Sequence, residues 1–184
     1  ADNSVNLWLD CYHGESYWIK EKYLRNNANS IDDIQSLNLC ATIPSELARL
    51  TVMEMVSSVD SEAINEYYKP FLKKIRTFVE YGLALGGIVI KPYIEDLKNK
   101  KIAIDTVTAD KFLILGFTSF GKVNHIVFID RVKKYDKKGN PVFFTRLEEH
   151  IIDNTYMINN TAYLSNRSET LGNQTRLDII PEWE

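Results

Sequence analysis

The spacing of apolar positions along the chain changes once, near residue 87. Before that point apolar residues return every three, four or seven positions, as on one side of a helix, and after it they alternate, as on one face of a strand. Residues 5–13 (VNLWLDCYH) predict a short helix closed by Gly14. Residues 15–35 are polar, with Asn26, Asn27 and Asn29 clustered, and read as a loop with one helical turn. A helical stripe starts at Ser36 and carries Leu37, Ala41, Ala48, Val52, Met55 and Val59. Ile43, Leu47 and Leu50 widen it, so burial over much of the circumference is expected. Pro44 either kinks this helix or stands in the first turn of a fresh one. A second helix is predicted from about Ser61 to Leu85, with Phe71, Ile75, Phe78, Val79 and Gly82 on one face and Pro70 as a candidate break. Gly82 in a helix interior costs about 1 kcal/mol against alanine and implies a closely approaching neighbour.

The change of period falls within FVEYGLALGGIVIKPYI, residues 78–94. Two glycines at such a junction raise the question of a phosphate cradle. Anion-binding glycines follow a strand and open a helix, where free N–H groups point at the ligand. The order here is helix to strand, so Gly86 is expected as a left-handed helix cap and Gly87 as the turn into the strand.

Downstream, Ile88, Ile90 and Ile94 alternate with Val89, Lys91 and Tyr93, and Pro92 suggests an edge or a bulge. EDLKNKK reads as a loop, followed by strands at KIAIDTVT, FLILGF, HIVFIDRV, VFFTRLEEHI and TYMINNTAYL. YDKKGNP is a hairpin signal, because Asp136 can open a type I turn and Gly139 supplies a left-handed residue. In the strand after it, Phe143, Leu147 and Ile151 face one way and Arg146, Glu148 and His150 the other, predicting one wet face. The expectation is one α+β domain over 1–184: a helical part at about 5–86, a β-rich part with a mainly antiparallel sheet at about 87–164, and a polar, weakly patterned tail at 165–184.

Composition narrows the function classes. The chain is 45% hydrophobic and 26% charged, ordinary for a folded globular protein. A net charge of −3 gives no bulk attraction to nucleic acid or anionic membrane. No run of about 18 apolar residues is present, and ADNSVNLWLD lacks the basic start and apolar core of a signal peptide. Cys11 and Cys40 form no CxxC and read as reduced thiols, as suits a cytoplasmic chain. Asn159, Asn166 and Asn173 open Asn-x-Ser/Thr triplets, which in a chain rich in Asn and Thr read as coincidence.

Candidate chemistry is sparse. His13, His125 and His150 have no second ligand at metal-binding spacing. No nucleophile elbow occurs, and both cysteines fall in helical patterns. The adjacent pairs Glu148–Glu149 and Asp32–Asp33 do not make a cooperating acid and base, because strand neighbours point to opposite faces. The lysine runs at 98–101 and 133–138 are interleaved with acids and read as solvated loop tips. No catalytic residue, metal or cofactor is expected.

Several stretches together resemble the portal proteins of tailed bacteriophages, in the branch found among siphophages of Gram-positive hosts. Trp8 with Tyr12 and Gly14 resembles the family's opening motif, and LNLCATIPSELARLTVMEM its long N-terminal helix, ending near Glu54. ALGGIVIKPYIEDLKNKKIAIDTVTADKF is similar to its helix, glycine turn and strand pair, and NTAYLSNRSETLGNQ to the segment closing that region. Pro44 departs from the pattern. The resemblance implies a wing-region fragment of a longer chain, with no catalytic residues. It implies a head-tail connector that assembles in the host cytoplasm as a dodecameric ring, joins the virion, and passes DNA through its channel. Scaffold, capsid, terminase and tail-adaptor proteins would be the partners, with no membrane. Two alternatives come from the residues alone: a secreted, glycosylated binding module, and an enzyme with an unrecognised site.

Overall fold

The computed structural model describes residues 3–16, 37–96, 101–153 and 155–180. The fold is α+β, and the chain divides into two compact units, Ala1–Asp110 and Lys111–Glu184. The boundary falls after the first pair of strands, so that pair belongs with the helices.

In the first unit α1 spans Asn3–Tyr12, α2 Leu39–Val52 and α3 Glu62–Leu85. The strands β1 (Ile88–Asp96) and β2 (Lys101–Thr108) pair antiparallel into a two-stranded sheet against which α3 packs. Pro92 sits in β1, which pairs on one side only, so its missing N–H costs little. The predicted loop at 15–35 lies outside the described residues beyond Ser16, as do Asp32, Asp33 and the tip at 97–100.

Neither proline ends its helix. Pro44 lies in the second turn of α2 and is buried, and Pro70 lies within α3, which runs unbroken through it. Each removes one backbone hydrogen bond, so these helices depend on packing more than on their own ladder. The packing is close. Ala48 is fully buried in α2, and a Cβ on Gly82 of α3 would stand 3.2 Å from Ile88 Cγ2, the near approach its position implied. Gly86 ends α3 at φ 76°, in the left-handed region expected of a cap.

The residues at 8 and 12 of α1, one turn apart, both reach the C-terminal end of α3. Trp8 lies over Gly86, with its Cζ3 3.3 Å from where a Cβ would be. The Tyr12 hydroxyl donates to Glu80 Oε1 at 2.7 Å, its ring meets Tyr81 at 5.4 Å, and its backbone carbonyl accepts from Asn38 Nδ2 at 3.2 Å. Burial, then the hydrogen bond to Glu80 and that carboxylate's charge, push the phenol from 10.0 up to about 12. A raised pKa in the folded state means this contact contributes fully below about pH 10 and is lost as the pH climbs through 12. Tyr12 is therefore expected to ionise after the exposed tyrosines in an absorbance titration. Tyr12→Phe should flatten the fall in stability across that window, and an unchanged alkaline unfolding curve would exclude the linkage.

The second unit is a five-stranded antiparallel sheet in sequential order: β3 (Phe112–Phe117), β4 (Val123–Tyr135), β5 (Pro141–Ile152), β6 (Tyr156–Ser165) and β7 (Asn173–Thr175). The hairpin read from YDKKGNP joins β4 to β5, with Tyr135 opposite Pro141 and Gly139 at φ 82°. The Asp136 carboxylate accepts from the N–H groups of Asn140 and Lys138, both at 2.8 Å. Those bonds, the one from Asn140 first, hold its pKa below the usual carboxylate value.

The tail expected to be polar and unpatterned is built into this unit. It supplies β7, a turn of 3-10 helix at Leu177–Ile179, and Ile180, which is fully buried against Ala162 with Val132, Phe144 and Leu177 around them. Two polar anchors shape the return. Arg131 donates from Nε to Thr145 Oγ1 at 2.9 Å and from its terminal nitrogens to the carbonyls of Ser168 and Thr170. Ser165 Oγ accepts from Arg167 N at 3.0 Å and lies 2.6 Å from the Thr170 hydroxyl.

Candidate functional site

The strand β5 carries the densest polar chemistry. Its alternate residues Arg146, Glu148 and His150 share one face of the sheet, as the alternation predicts, but this end of the face is not wet: His150 is only 7% exposed. Glu148 Oε1 lies 2.6 Å from His150 Nε2, and Arg146 reaches Asp130 at 3.6 Å and Glu148 at 3.8 Å. The Tyr156 hydroxyl meets His150 Nδ1, and the Phe128 ring stands edge-on to the imidazole at 5.0 Å. A carboxylate only accepts, so Nε2 carries the hydrogen, and in the neutral ring Nδ1 accepts from the tyrosine.

A carboxylate, an imidazole and a hydroxyl in series suggest an activated nucleophile. The electrostatics point the other way. Burial and then the charge on Glu148 raise the Tyr156 pKa, which disfavours the phenolate that would attack. The series is a satisfied polar ladder.

The opposite face holds a second pair. His125 Nε2 lies 2.8 Å from Glu149 Oε1, and Asn159 Nδ2 donates to the other carboxylate oxygen at 3.3 Å. Those bonds, His125 first, lower the Glu149 pKa. Glu148 and Glu149 thus serve different faces, as expected of strand neighbours. His13 is exposed beside the Tyr12 ring at 5.4 Å. Cys11 and Cys40 are free thiols on α1 and α2. Among the described residues, no group of three potential metal ligands comes together, and no helix is long and apolar enough to cross a membrane.

The other sequence candidates scatter. Of the lysines at 133–138, Lys133 and Lys134 lie within β4 rather than at a loop tip, with the Lys133 ammonium 5.2 Å from the centre of the Tyr135 ring. Asn159 is mid-strand, Asn166 is in the turn after β6, and Asn173 opens β7 opposite Leu164.

The first unit has an uncommon surface. The expectation that Ile43, Leu47 and Leu50 would be buried is not met. With Leu39 they are 54%, 48%, 57% and 54% exposed, respectively, and at spacings of four, four and three they form one stripe along α2. The helix turns Pro44 and Ala48 inward instead, because small side chains let it lie close to α3, with which it makes its main contact. Met53, Met55 and Val56 continue the exposed run past the helix end. Between α3 and β2 lies a groove of about 480 Å³, lined by Tyr67, Pro70, Phe71, Phe78, Ile102 and Ile104.

No family model, curated protein or solved structure matches the chain. The stripe on α2 leaves four large aliphatic residues in water. Isolated apolar residues on a surface are ordinary, but a contiguous set along one element marks an interaction face. The signal was in the sequence: apolar positions on both sides of one helix call for partners on both sides, and among the described residues the inner side packs on α3 while the outer side stays exposed.

Proposed function

We propose that the chain is a structural subunit of an assembly, and specifically that it belongs to the wing of a tailed-phage portal, the ring through which DNA enters and leaves the capsid. The observation that carries the structural reading is the exposed stripe on α2, a helix that is apolar on its outer face as well as its inner one. The resemblance noted from the sequence supplies the finer identity. Trp8 and Tyr12, which carry its opening motif, bind α1 to the end of α3, so they have a packing role and need no chemistry. The net charge of −3 suits a part of such a ring that does not line the DNA channel.

In this reading the channel-lining segments lie outside these 184 residues, and much of the subunit contact area lies with them. Stable interfaces bury on the order of 1,200–2,000 Å². The chain alone is therefore expected to be a monomer or a weak small oligomer, with negligible affinity for duplex DNA at about 0.15 M salt. The complete reading frame is expected to form a large closed ring. Electron microscopy and light scattering on that product test the proposal. A product that stays monomeric under every condition tried, or a compact dimer with no channel, would overturn it.

A further inference from the structure

The stripe and the groove in the first unit are complementary in shape and charge. The stripe is convex and aliphatic, and it carries two charges beside it, Glu46 and then Arg49, paired with each other at 2.8 Å. The groove is concave and lined by aromatic and aliphatic side chains, with Lys74, Glu66 and Asp105 also in its lining. On α3 the positions 66, 70, 74 and 78 fall at intervals of four, so acid, proline, base and phenylalanine follow one another along one side of the helix.

An amphipathic helix laid into such a groove is a recurrent recognition mode, anchored by residues at intervals of three and four. If α2 of one copy enters the groove of another antiparallel to its α3, Glu46 comes beside Lys74 and Arg49 moves toward Glu66. At about 1.5 Å per residue, Arg49 stands about 4.5 Å beyond Glu46 and Glu66 about 12 Å beyond Lys74, and the remaining axial gap of about 7.5 Å lies within the combined reach of an arginine and a glutamate. We propose that one copy of this chain docks the outer face of its α2 into the α3–β2 groove of the next. The contact is head-to-tail: each copy offers one surface and receives on the other, so the geometry propagates to rings or open chains. This specifies the subunit contact of the ring proposed above and to that extent rests on it.

The occupant is a second copy because both halves of the contact sit on the same unit, and Glu46 and Arg49 on one can meet Lys74 and Glu66 on the other. Stripe against stripe would leave the groove empty and would set two convex helix faces together. Burying the stripe in the groove also removes from water the aliphatic surface that the isolated chain leaves exposed.

Cross-linking separates these arrangements. In a Cys11→Ser, Cys40→Ser background, Leu47→Cys and Tyr67→Cys place a thiol on each surface, and copper-phenanthroline oxidises thiols that meet. The expected result for the double variant, oxidised at a concentration high enough to populate the weak association, is a ladder of dimers, trimers and longer species, with little product from either single variant. Dimers from Leu47→Cys alone would overturn the proposal in favour of stripe against stripe, and an absence of any cross-link would overturn it outright. Charge reversal adds an independent readout by sedimentation: Lys74→Glu is expected to weaken self-association about tenfold, and Glu46→Lys added to it to restore the wild-type value. Failure of that restoration also counts against the contact. Circular dichroism of each variant shows that the fold is retained. If the swap fails while the complete reading frame still closes into a large ring, the contact is wrong and the ring reading stands. If the ladder forms but no closed ring does, the contact stands and the ring reading falls.

Discussion

Replacing Gly172 with alanine is expected to detach the closing segment from the five-stranded sheet and to cost about 3 kcal/mol or more. Gly172 has φ +79°, where an L side chain is strained in any surroundings. The surroundings are also full. A Cβ would overlap the Leu164 carbonyl oxygen and stand 2.7 Å from its carbonyl carbon and 2.8 Å from Ser165 Cβ. The obstacle is largely backbone of β6, which is held on one side by β5 and on the other by β7. Relief therefore requires β7 to move away, and the covering it leads to would move with it: Leu177 and the fully buried Ile180. Urea unfolding and hydrogen exchange over 173–180 measure this effect. A Gly172→Ala protein within about 0.5 kcal/mol of the parent, with protection unchanged there, would show that the segment is not held as described.

The second large effect is expected at His150. Substituting leucine keeps much of the volume but leaves the Glu148 carboxylate, 12% exposed, without the donor that lies 2.6 Å away. The Tyr156 hydroxyl loses its acceptor in the same change. Arg146 remains at 3.8 Å from Glu148, which softens the loss. A cost of about 2–4 kcal/mol is expected, because a nearly buried charge loses its closest partner. The same change at His125 provides the comparison. Its pair with Glu149 has side chains 29% and 34% exposed, so water can replace the imidazole, and a clearly smaller cost is expected. Denaturant midpoints with matched slopes decide between the two. Equal losses at the two histidines would mean that burial does not set the strength of these pairs.

These two sites differ in how far the sequence exposes them. Arg146, Glu148 and His150 fall on one face by simple alternation, and their charges already suggest neighbours that satisfy each other. What alternation cannot supply is cover. A run of charged residues on one face reads as solvated, and only the approach of Tyr156 across the β5–β6 turn and of Phe128 across the β4–β5 pair takes His150 out of water. Gly172 is further from view. A glycine in a polar tail carries no local signal that another strand's carbonyl will lie against it.

The sequence alone determined most of the elements and much of the second unit's sheet. Period and turn chemistry are local properties: the switch to alternation near residue 87, the left-handed cap at Gly86 and the Asp136–Gly139 turn all depend on residues a few positions apart. Once a turn pins a hairpin, the strand register follows, because a slip by one residue would exchange its two faces. Tertiary structure decided what depends on distant partners. Pro44 and Pro70 stay inside continuous helices because packing replaces the bond each removes, a balance that propensity cannot register. The first pair of strands joins the helices rather than the larger sheet, and the polar tail closes an apolar core with Ile180. The outer stripe of α2 is the plainest case. Its apolar spacing was visible from the start, but spacing reports only that a residue favours burial, and whether a surface within the same chain provides it is settled in three dimensions.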